Sequence, residues 1–311
     1  MAVEHHFKRI LVTGASGFVG RHFIDAAERG SGIRIETMDS GTDLRDPDAV
    51  AARVRTATPD AILHLAAQSS VPRSFEDPAG TLSVNFTGTL NLLQALQAAE
   101  FKGRLLFVSS GDIYGHVAED NLPVREDAPP PRPLNPYALS KVCAEALCLQ
   151  WRRAHGLDVV IARPFNHIGP GQGEGFVLPS VAVQLARAPR GQDVITLLMG
   201  DVDTTRDFCD VRDVVEAYLA LLARGRAGET YLIGSGVERR VRDLIAEMAC
   251  LAGVGVRIER DPGKFRPADQ RRMVACIDKI RDHTGWFPRR PMLETLADIL
   301  EYAKEKNLNV E

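Results

Sequence analysis

Tyr137 and Lys141 stand four residues apart in Tyr-Ala-Leu-Ser-Lys, a spacing that puts both side chains on one face of a helix. A lysine ammonium beside a phenol favours the phenolate and lowers its pKa. Such a tyrosine exchanges a proton with a carbonyl or an alcohol near neutral pH. Ser109 and Ser110 close the apolar run at 104–108, and their hydroxyls can bond the same substrate oxygen. By itself, Tyr-x-x-x-Lys also describes an ordinary amphipathic helix.

A second constellation gives the pair a context. Gly14-Ala-Ser-Gly-Phe-Val-Gly20 follows a short strand pattern at 8–13, Lys-Arg-Ile-Leu-Val-Thr, and opens a helical pattern. Gly14, Gly17 and Gly20 remove side chains where a backbone turns tightly and approaches a pyrophosphate. Ser16, Phe18 and Val19 sit where a helix N-terminus offers free N–H groups. Asp39 ends the next strand, where a carboxylate binds the adenosine ribose hydroxyls and repels a 2′-phosphate. That favours NADH, although a turn-capping role is open for Asp39. Arg34 or Arg45 can still accept a phosphate, so NADPH stays open too. Asp43 and Leu44 can frame the adenine. No metal is called for.

The elements that must hold these residues alternate. Strands are expected at 8–13, 33–38, 61–65, 104–109 and 158–162. Helices are expected from the glycine turn to Arg29, then over 46–56, 78–99 and 136–155. This order predicts an α/β fold, a doubly wound parallel Rossmann sheet with helices on both faces. Glycine and proline crowd 164–179. Beyond them, a helix at 211–224 and a strand at 230–233 can return to the first domain, and helices are expected at 241–252 and 292–306. The expected division is a dinucleotide domain, 1–165 plus 206–235, and a smaller discontinuous C-terminal substrate lobe, 166–205 plus 236–311.

Composition narrows the classes. Of 311 residues, 45% are hydrophobic and 25% charged, enough for a large core, which excludes overall disorder. The 38 basic and 41 acidic side chains give −3, with no basic excess for nucleic acid. Five cysteines form no C-x-x-C pair and read as thiols of a reducing cytosol. The N-terminus carries Glu4, His5, His6, Lys8 and Arg9, with no signal-peptide run before the first strand. The uncharged stretch 78–99 holds Asn85, Thr87, Thr89, Asn91, Gln94 and Gln97, so a buried helix is expected there and no membrane span.

The glycine pattern, a serine closing the fourth strand and Tyr-x-x-x-Lys together resemble the short-chain dehydrogenase/reductases. The length, His64-Leu-Ala-Ala67 and Asn85-Phe-Thr-Gly-Thr89 resemble the extended, sugar-nucleotide branch. The likeness covers nearly the whole chain. It implies Ser110, Tyr137 and Lys141 as the catalytic triad, with Lys141 also holding the nicotinamide ribose and Tyr137 also at the cofactor. It adds Leu65, Ala66, Ala67, Asn85, Ser109 and Phe165 to the cofactor site. It also implies a homodimer through a four-helix bundle built from 78–99 and 136–155.

Three further segments resemble members that handle GDP-6-deoxyhexoses: 163–172, RPFNHIGPGQ; 205–213, TRDFCDVRD; and 265–270, FRPADQ. The implied reaction is NAD(P)H-dependent reduction of the C4 ketone of a GDP-4-keto-6-deoxy-sugar, from the keto-mannose to GDP-rhamnose. Arg206 and Arg266 suit the diphosphate, because guanidinium grips phosphate with two bonds. Salt bridges to Asp207, Asp210 or Asp269 are their structural alternative. Asn166, Ser70, Ser110, Asp112, Val177 and Asp269 complete the implied substrate set, while His167 is expected to hold structure. The rival readings are a GDP-mannose 4,6-dehydratase, a sugar-nucleotide 4-epimerase, and the same reduction yielding 6-deoxy-talose or acting on a 6-deoxy-heptose. Related dehydratases carry a Glu two residues after the catalytic Ser or Thr. Here Asp112 holds that position and Gly111 precedes it, which favours plain reduction.

Overall fold

The computed structural model describes residues 7–30, 32–38, 41–127, 131–188, 192–261, 263 and 270–308. Asp39, Arg266 and Asp269 therefore lie outside the described residues.

The first domain alternates strand and helix. In order come β1 (Arg9–Thr13), α1 (Phe18–Gly30), β2 (Arg34–Met38), α2 (Pro47–Ala57), β3 (Ala61–His64), α3 (Val71–Glu76) and α4 (Pro78–Leu82). A π-helical turn, Ser83–Thr87, joins α4 to α5 (Gly88–Ala98). Then follow β4 (Arg104–Val108), α6 (Pro136–His155) and β5 (Asp158–Pro164). The chain continues through β6 (Asn166–Ile168), α7 (Val177–Ala186), β7 (Val194–Met199), β8 (Thr205–Asp210), α8 (Val211–Arg224) and β9 (Thr230–Ile233). It ends with β10 (Glu238–Arg240), α9 (Val241–Ala252), β11 (Gly255–Arg260), β12 (Arg272–Met273), α10 (Asp278–Thr284) and α11 (Met292–Leu308).

Six strands form one parallel sheet in the order β2-β1-β3-β4-β5-β9. The order reverses at β1, whose neighbours are β2 and β3. A crevice opens there beyond the strand C-termini, the place where such sheets bind ligands. Alternate strand residues feed two cores. Ile10, Val12, Leu106, Val108 and Val160 pack with α1 and α8, while Leu11, Ile62, Leu105, Phe107 and Val159 pack with α2, α5 and α6. Each fully buried Leu, Ile, Val or Phe contributes about 1.5–3 kcal/mol, against about 1 kcal/mol for a helix cap. Burial therefore decides which face looks inward, and caps decide where helices start.

The helix start that matters most is that of α6. Asn135 accepts the Ala138 N–H at 2.7 Å, and Pro136 occupies the first turn. Tyr137 is thereby held at the active-site end of α6.

The run 78–99, expected as one helix, is interrupted by the π turn, with Asn85 at its centre. The smaller lobe is built on β10-β8-β12, with β6 paired to β8, and on the parallel pair β11-β7. A third core of Leu178, Leu197, Phe208, Leu244 and Leu296 fills it. β8 joins this sheet, whereas α8 and β9 return to the large one. α10 returns as well, placing Ile280 in the core shared by α1 and α8. Among the described residues no helix is long and apolar enough to cross a membrane.

Candidate active site

The glycine turn is fixed by close approach. Gly14 has φ +72°, and a Cβ on it would lie 2.8 Å from the Ala66 nitrogen. A Cβ on Gly20 would lie 2.4 Å from the Gly14 carbonyl oxygen, so only glycine lets α1 start this close to the turn. Gly17 donates its N–H to that same carbonyl at 3.0 Å. Ser16 and Gly17 are exposed, while Phe18 and Val19 are half-buried.

Arg21 ties the turn to the substrate side. Its guanidinium donates to the carbonyls of Ser16, at 2.6 Å, and Gly171, at 3.2 Å. The Phe18 ring stacks on His167 with centroids 6.2 Å apart and planes 4° from parallel.

A cavity of ≈ 120 Å³ lies at the switch point, lined by Thr13, Gly14, Ser16, Met38, Thr42, Leu44 and Ala66. Its lining and the bare glycine turn fit an adenosine and a pyrophosphate. A larger cavity of ≈ 400 Å³, lined by Phe7, Pro59, Asp60, Lys102, Gly103, Arg104 and Asp158, opens at the amino ends of the strands, away from the chemistry. Asp43 is clamped by Arg45, whose Nε donates to Oδ1 at 2.9 Å and whose Nη2 donates to Oδ2 at 2.6 Å. Those bonds hold its pKa down at about 2. Leu44 is buried and gives its carbonyl to Asn91 at 2.8 Å.

A buried chain of hydrogen bonds supports the loop after β3. Thr13 Oγ1 accepts the Ala66 N–H at 3.1 Å and lies 2.6 Å from His64 Nδ1, while His64 Nε2 meets Thr89 Oγ1 at 3.1 Å. Burial, and then the nearby Lys141, lower the His64 pKa to about 3, so the ring is neutral. Asn85 accepts the Gln68 N–H at 2.7 Å and donates to Gln68 O at 3.0 Å and Ser140 Oγ at 2.8 Å. These bonds make Asn85 the clasp of the loop that carries Leu65, Ala66 and Ala67. The π turn carries it to that place; such turns recur at functional sites. Ser70 caps α3.

Beyond β4 the catalytic candidates converge. Ser110 Oγ accepts the Asp112 N–H at 3.1 Å and caps a 3-10 turn, Gly111–Tyr114. Lys141 Nζ donates to the Val108 carbonyl at 2.7 Å. Burial pulls the Lys141 pKa down to about 8, opposed by Glu145. The Tyr137 phenol departs from the sequence expectation. Burial pushes its pKa well up, the Asp112 carboxylate raises it further, and only a hydrogen bond with Ser110 lowers it. Desolvation and the Asp112 carboxylate both disfavour the phenolate, so Tyr137 is held as an acid. Ser109 Oγ is buried with no hydrogen-bond partner among the described residues, an orphan that a bound group would satisfy.

A network that sequence reasoning missed sits behind this triad. Arg163 of β5 bonds Glu145 of α6 twice, at 2.9 and 2.7 Å, and Tyr114 Oη at 2.6 Å. The signal was present: Tyr137, Lys141 and Glu145 fall at i, i+4 and i+8 of one helix.

On the substrate side, Phe165 is buried, and a Cβ on Gly111 would lie 3.1 Å from its ring. Asn166 is exposed at the start of β6. His167 Nδ1 lies 3.0 Å from the Phe165 carbonyl, and burial lowers its pKa. Val177 opens α7 and packs on the lobe core. Arg206 bonds the Thr205 carbonyl at 2.8 Å. Asp207 takes Ser235, Gly236 and Ala275 N–H donors, and Asp210 takes Arg212 and Thr295. Asp207 and Asp210, two of the three carboxylates expected as structural partners of the arginines, thus serve other donors, and Asp269 lies outside the described residues.

Residues 10–234 match the model of the NAD dependent epimerase/dehydratase family. The chain belongs to that family. It is 47% identical to GDP-6-deoxy-D-mannose reductase of Pseudomonas aeruginosa over 94% of this chain and 96% of that protein. It is 30% identical to UDP-glucose 4-epimerase of Mycolicibacterium smegmatis over 96% of this chain and 99% of that protein. A solved structure of RMD from Pseudomonas aeruginosa complexed with NADPH superposes with a TM-score of 0.89 at 44% identity, covering 96% of this chain and 99% of that one. The extended short-chain dehydrogenase/reductase resemblance and the Rossmann architecture are thereby borne out, and a nicotinamide dinucleotide is the family's cofactor class.

Proposed function

We propose that the chain reduces the C4 ketone of GDP-4-keto-6-deoxy-D-mannose to give GDP-D-rhamnose. One observation carries the reading: the centre of the site is a single buried acid, Tyr137, held protonated and bonded by Ser110. Carbonyl reduction asks the side chains for one proton and for stabilisation of one developing oxyanion. The name and 47% identity of the Pseudomonas aeruginosa relative support the substrate.

A reduced nicotinamide, when bound, would supply the hydride. Ser110 bonds the ketone oxygen, and Tyr137 gives it a proton. Lys141, anchored on the Val108 carbonyl, keeps a positive charge one turn from the phenol. Asn166, Arg206 and Arg266 hold the nucleotide part, which fixes the ketone over the acid. Gly14–Gly20 and the 65–68 loop hold the cofactor. Asp39 favours NADH and the NADPH-bound relative favours NADPH, so either reductant is proposed.

Elimination of water would require a base for C5–H and an acid for the leaving hydroxyl, and Asp112 offers one carboxylate only. Gly111 supplies no acid, and a Cβ there would press on the Phe165 ring at 3.1 Å. The reading extends to a homodimer through α4, α5 and α6, which would cover Leu139, 43% exposed. Sedimentation checks that assembly.

The deciding experiment follows reduced-nicotinamide absorbance with enzymatically made GDP-4-keto-6-deoxy-mannose, with NADH and NADPH in parallel. Rapid oxidation, with product NMR showing the rhamno configuration at C4, supports the proposal. A talo product would correct only the stereochemistry. No oxidation, with GDP-mannose consumed in the presence of NADP, would replace the proposal with the dehydratase.

A further inference from the structure

We propose that Arg239 is a further guanidinium for the substrate diphosphate, beside Arg206 and Arg266, acting from β10 across the strand pair from Arg206. The proposal rests on the GDP-sugar reading above and assigns that site a residue outside the sequence-expected set.

Arg239 is the middle residue of β10 and lies directly opposite Arg206 in the antiparallel pair with β8. Residues opposite each other in such a pair project to the same face, and like charges placed that way repel. Asn166 is in register with Phe208, two residues along from Arg206, and so shares that face. Two guanidinium groups and an amide thus gather on one side of a short sheet.

On the other face, Glu238 pairs with Arg272 at 2.8 Å, and Arg240 pairs with Asp203. The charges of that face are matched within the protein. Arg239 has no carboxylate partner among the described residues. Its Nε is buried and has no hydrogen-bond acceptor among the described residues. A buried guanidinium N–H without an acceptor costs free energy that a ligand oxygen recovers.

The ligand that suits two opposed guanidinium forks is an anion with several oxygens on adjacent centres. A nucleoside diphosphate has them. The cofactor pyrophosphate is not a competitor for this face, because the glycine turn that takes it belongs to the other sheet.

Calorimetric titration with GDP, guanosine and inorganic phosphate tests the assignment on the full chain. Arg239→Met is expected to weaken GDP about ten- to hundredfold, the loss of one or two charge-assisted bonds. The KM for the GDP-keto-sugar should rise in parallel, with guanosine and NADPH affinity unchanged. Arg239→Lys, which keeps the charge and loses the fork, should fall between; it carries the test if Arg239→Met does not fold. Arg240→Met, on the matched face, should bind GDP as the wild type does. GDP affinity unchanged in both Arg239 variants would overturn the proposal, as would an equal loss for guanosine. Wild type that binds GDP no better than guanosine and inorganic phosphate would overturn the GDP-sugar reading instead.

Discussion

Arg163 and Glu145 meet edge to edge, with Nε on Oε1 at 2.9 Å and Nη2 on Oε2 at 2.7 Å, both side chains buried. The third edge of the guanidinium holds Tyr114 Oη at 2.6 Å. Glu145 lies one turn beyond Lys141, and Tyr114 closes the turn that Ser110 opens. The ion pair therefore fastens the strand β5 to both segments that carry the triad. Removing one partner of such a pair strands a buried charge and costs about 3–5 kcal/mol.

Two variants separate charge from fastening. Glu145 opposes the burial that lowers the Lys141 pKa to about 8. In Glu145→Gln that opposition is lost, so the Lys141 pKa falls further and the alkaline limb of the kcat profile should move to lower pH. Tyr114→Phe removes a bond and no charge. It should lower kcat with the limb in place. A wild-type profile in Glu145→Gln would count against any influence of Glu145 on Lys141.

Tyr137→Phe removes the only proposed proton donor while keeping the ring. General-acid catalysis contributes about 10²–10⁴-fold, so kcat should fall by that order. GDP affinity by calorimetry should stay within about twofold, because the phenol meets the ketone and not the nucleotide. Turnover near wild type would remove Tyr137 from the mechanism.

How much of this was legible in the chain depends on the range of the interaction. The glycine turn and the start of α6 were readable because their determinants are local: glycines, Asn135 and Pro136. The break inside 78–99 was not. One inserted residue of π turn leaves the stretch uncharged and helical-looking, and only the contacts of Asn85 with Gln68 and Ser140 explain it. β7 buries Ile195, Leu197 and Met199, yet exposed Val194 and Leu198 blur its alternation. β10 and β12 are too short to show a period. The triad residues were readable, but the state of Tyr137 was not, because burial and the Asp112 carboxylate set it and neither shows in the spacing to Lys141. Arg163 needed β5 to be placed beside α6 before its partners could be known.

Asp39→Asn tests the cofactor choice argued from the end of the second strand. Removing the carboxylate removes repulsion of a 2′-phosphate. The ratio of kcat/KM for NADPH to that for NADH should rise about tenfold, the scale of one charge interaction near a protein surface. Steady-state kinetics with both reductants measures it. An unchanged ratio would mean that Asp39 only caps its turn.

His64 sets a pH window for stability. Its pKa is lowered to about 3 by burial and by Lys141, against about 6.5 in an unfolded chain. Below the unfolded value the unfolded state binds the extra proton, so the folded state loses stability as pH falls from about 6.5 towards 3. Above about 6.5 neither state binds it and the contribution is constant. One such group adds a slope of up to about 1.4 kcal/mol per pH unit in that window. His64→Gln keeps an amide that can meet Thr13 and Thr89 and does not titrate. Denaturant unfolding at several pH values should show a shallower acid loss in the variant than in the wild type, by about one proton. Parallel curves would mean that His64 is already protonated in the folded protein or that the fold opens around it.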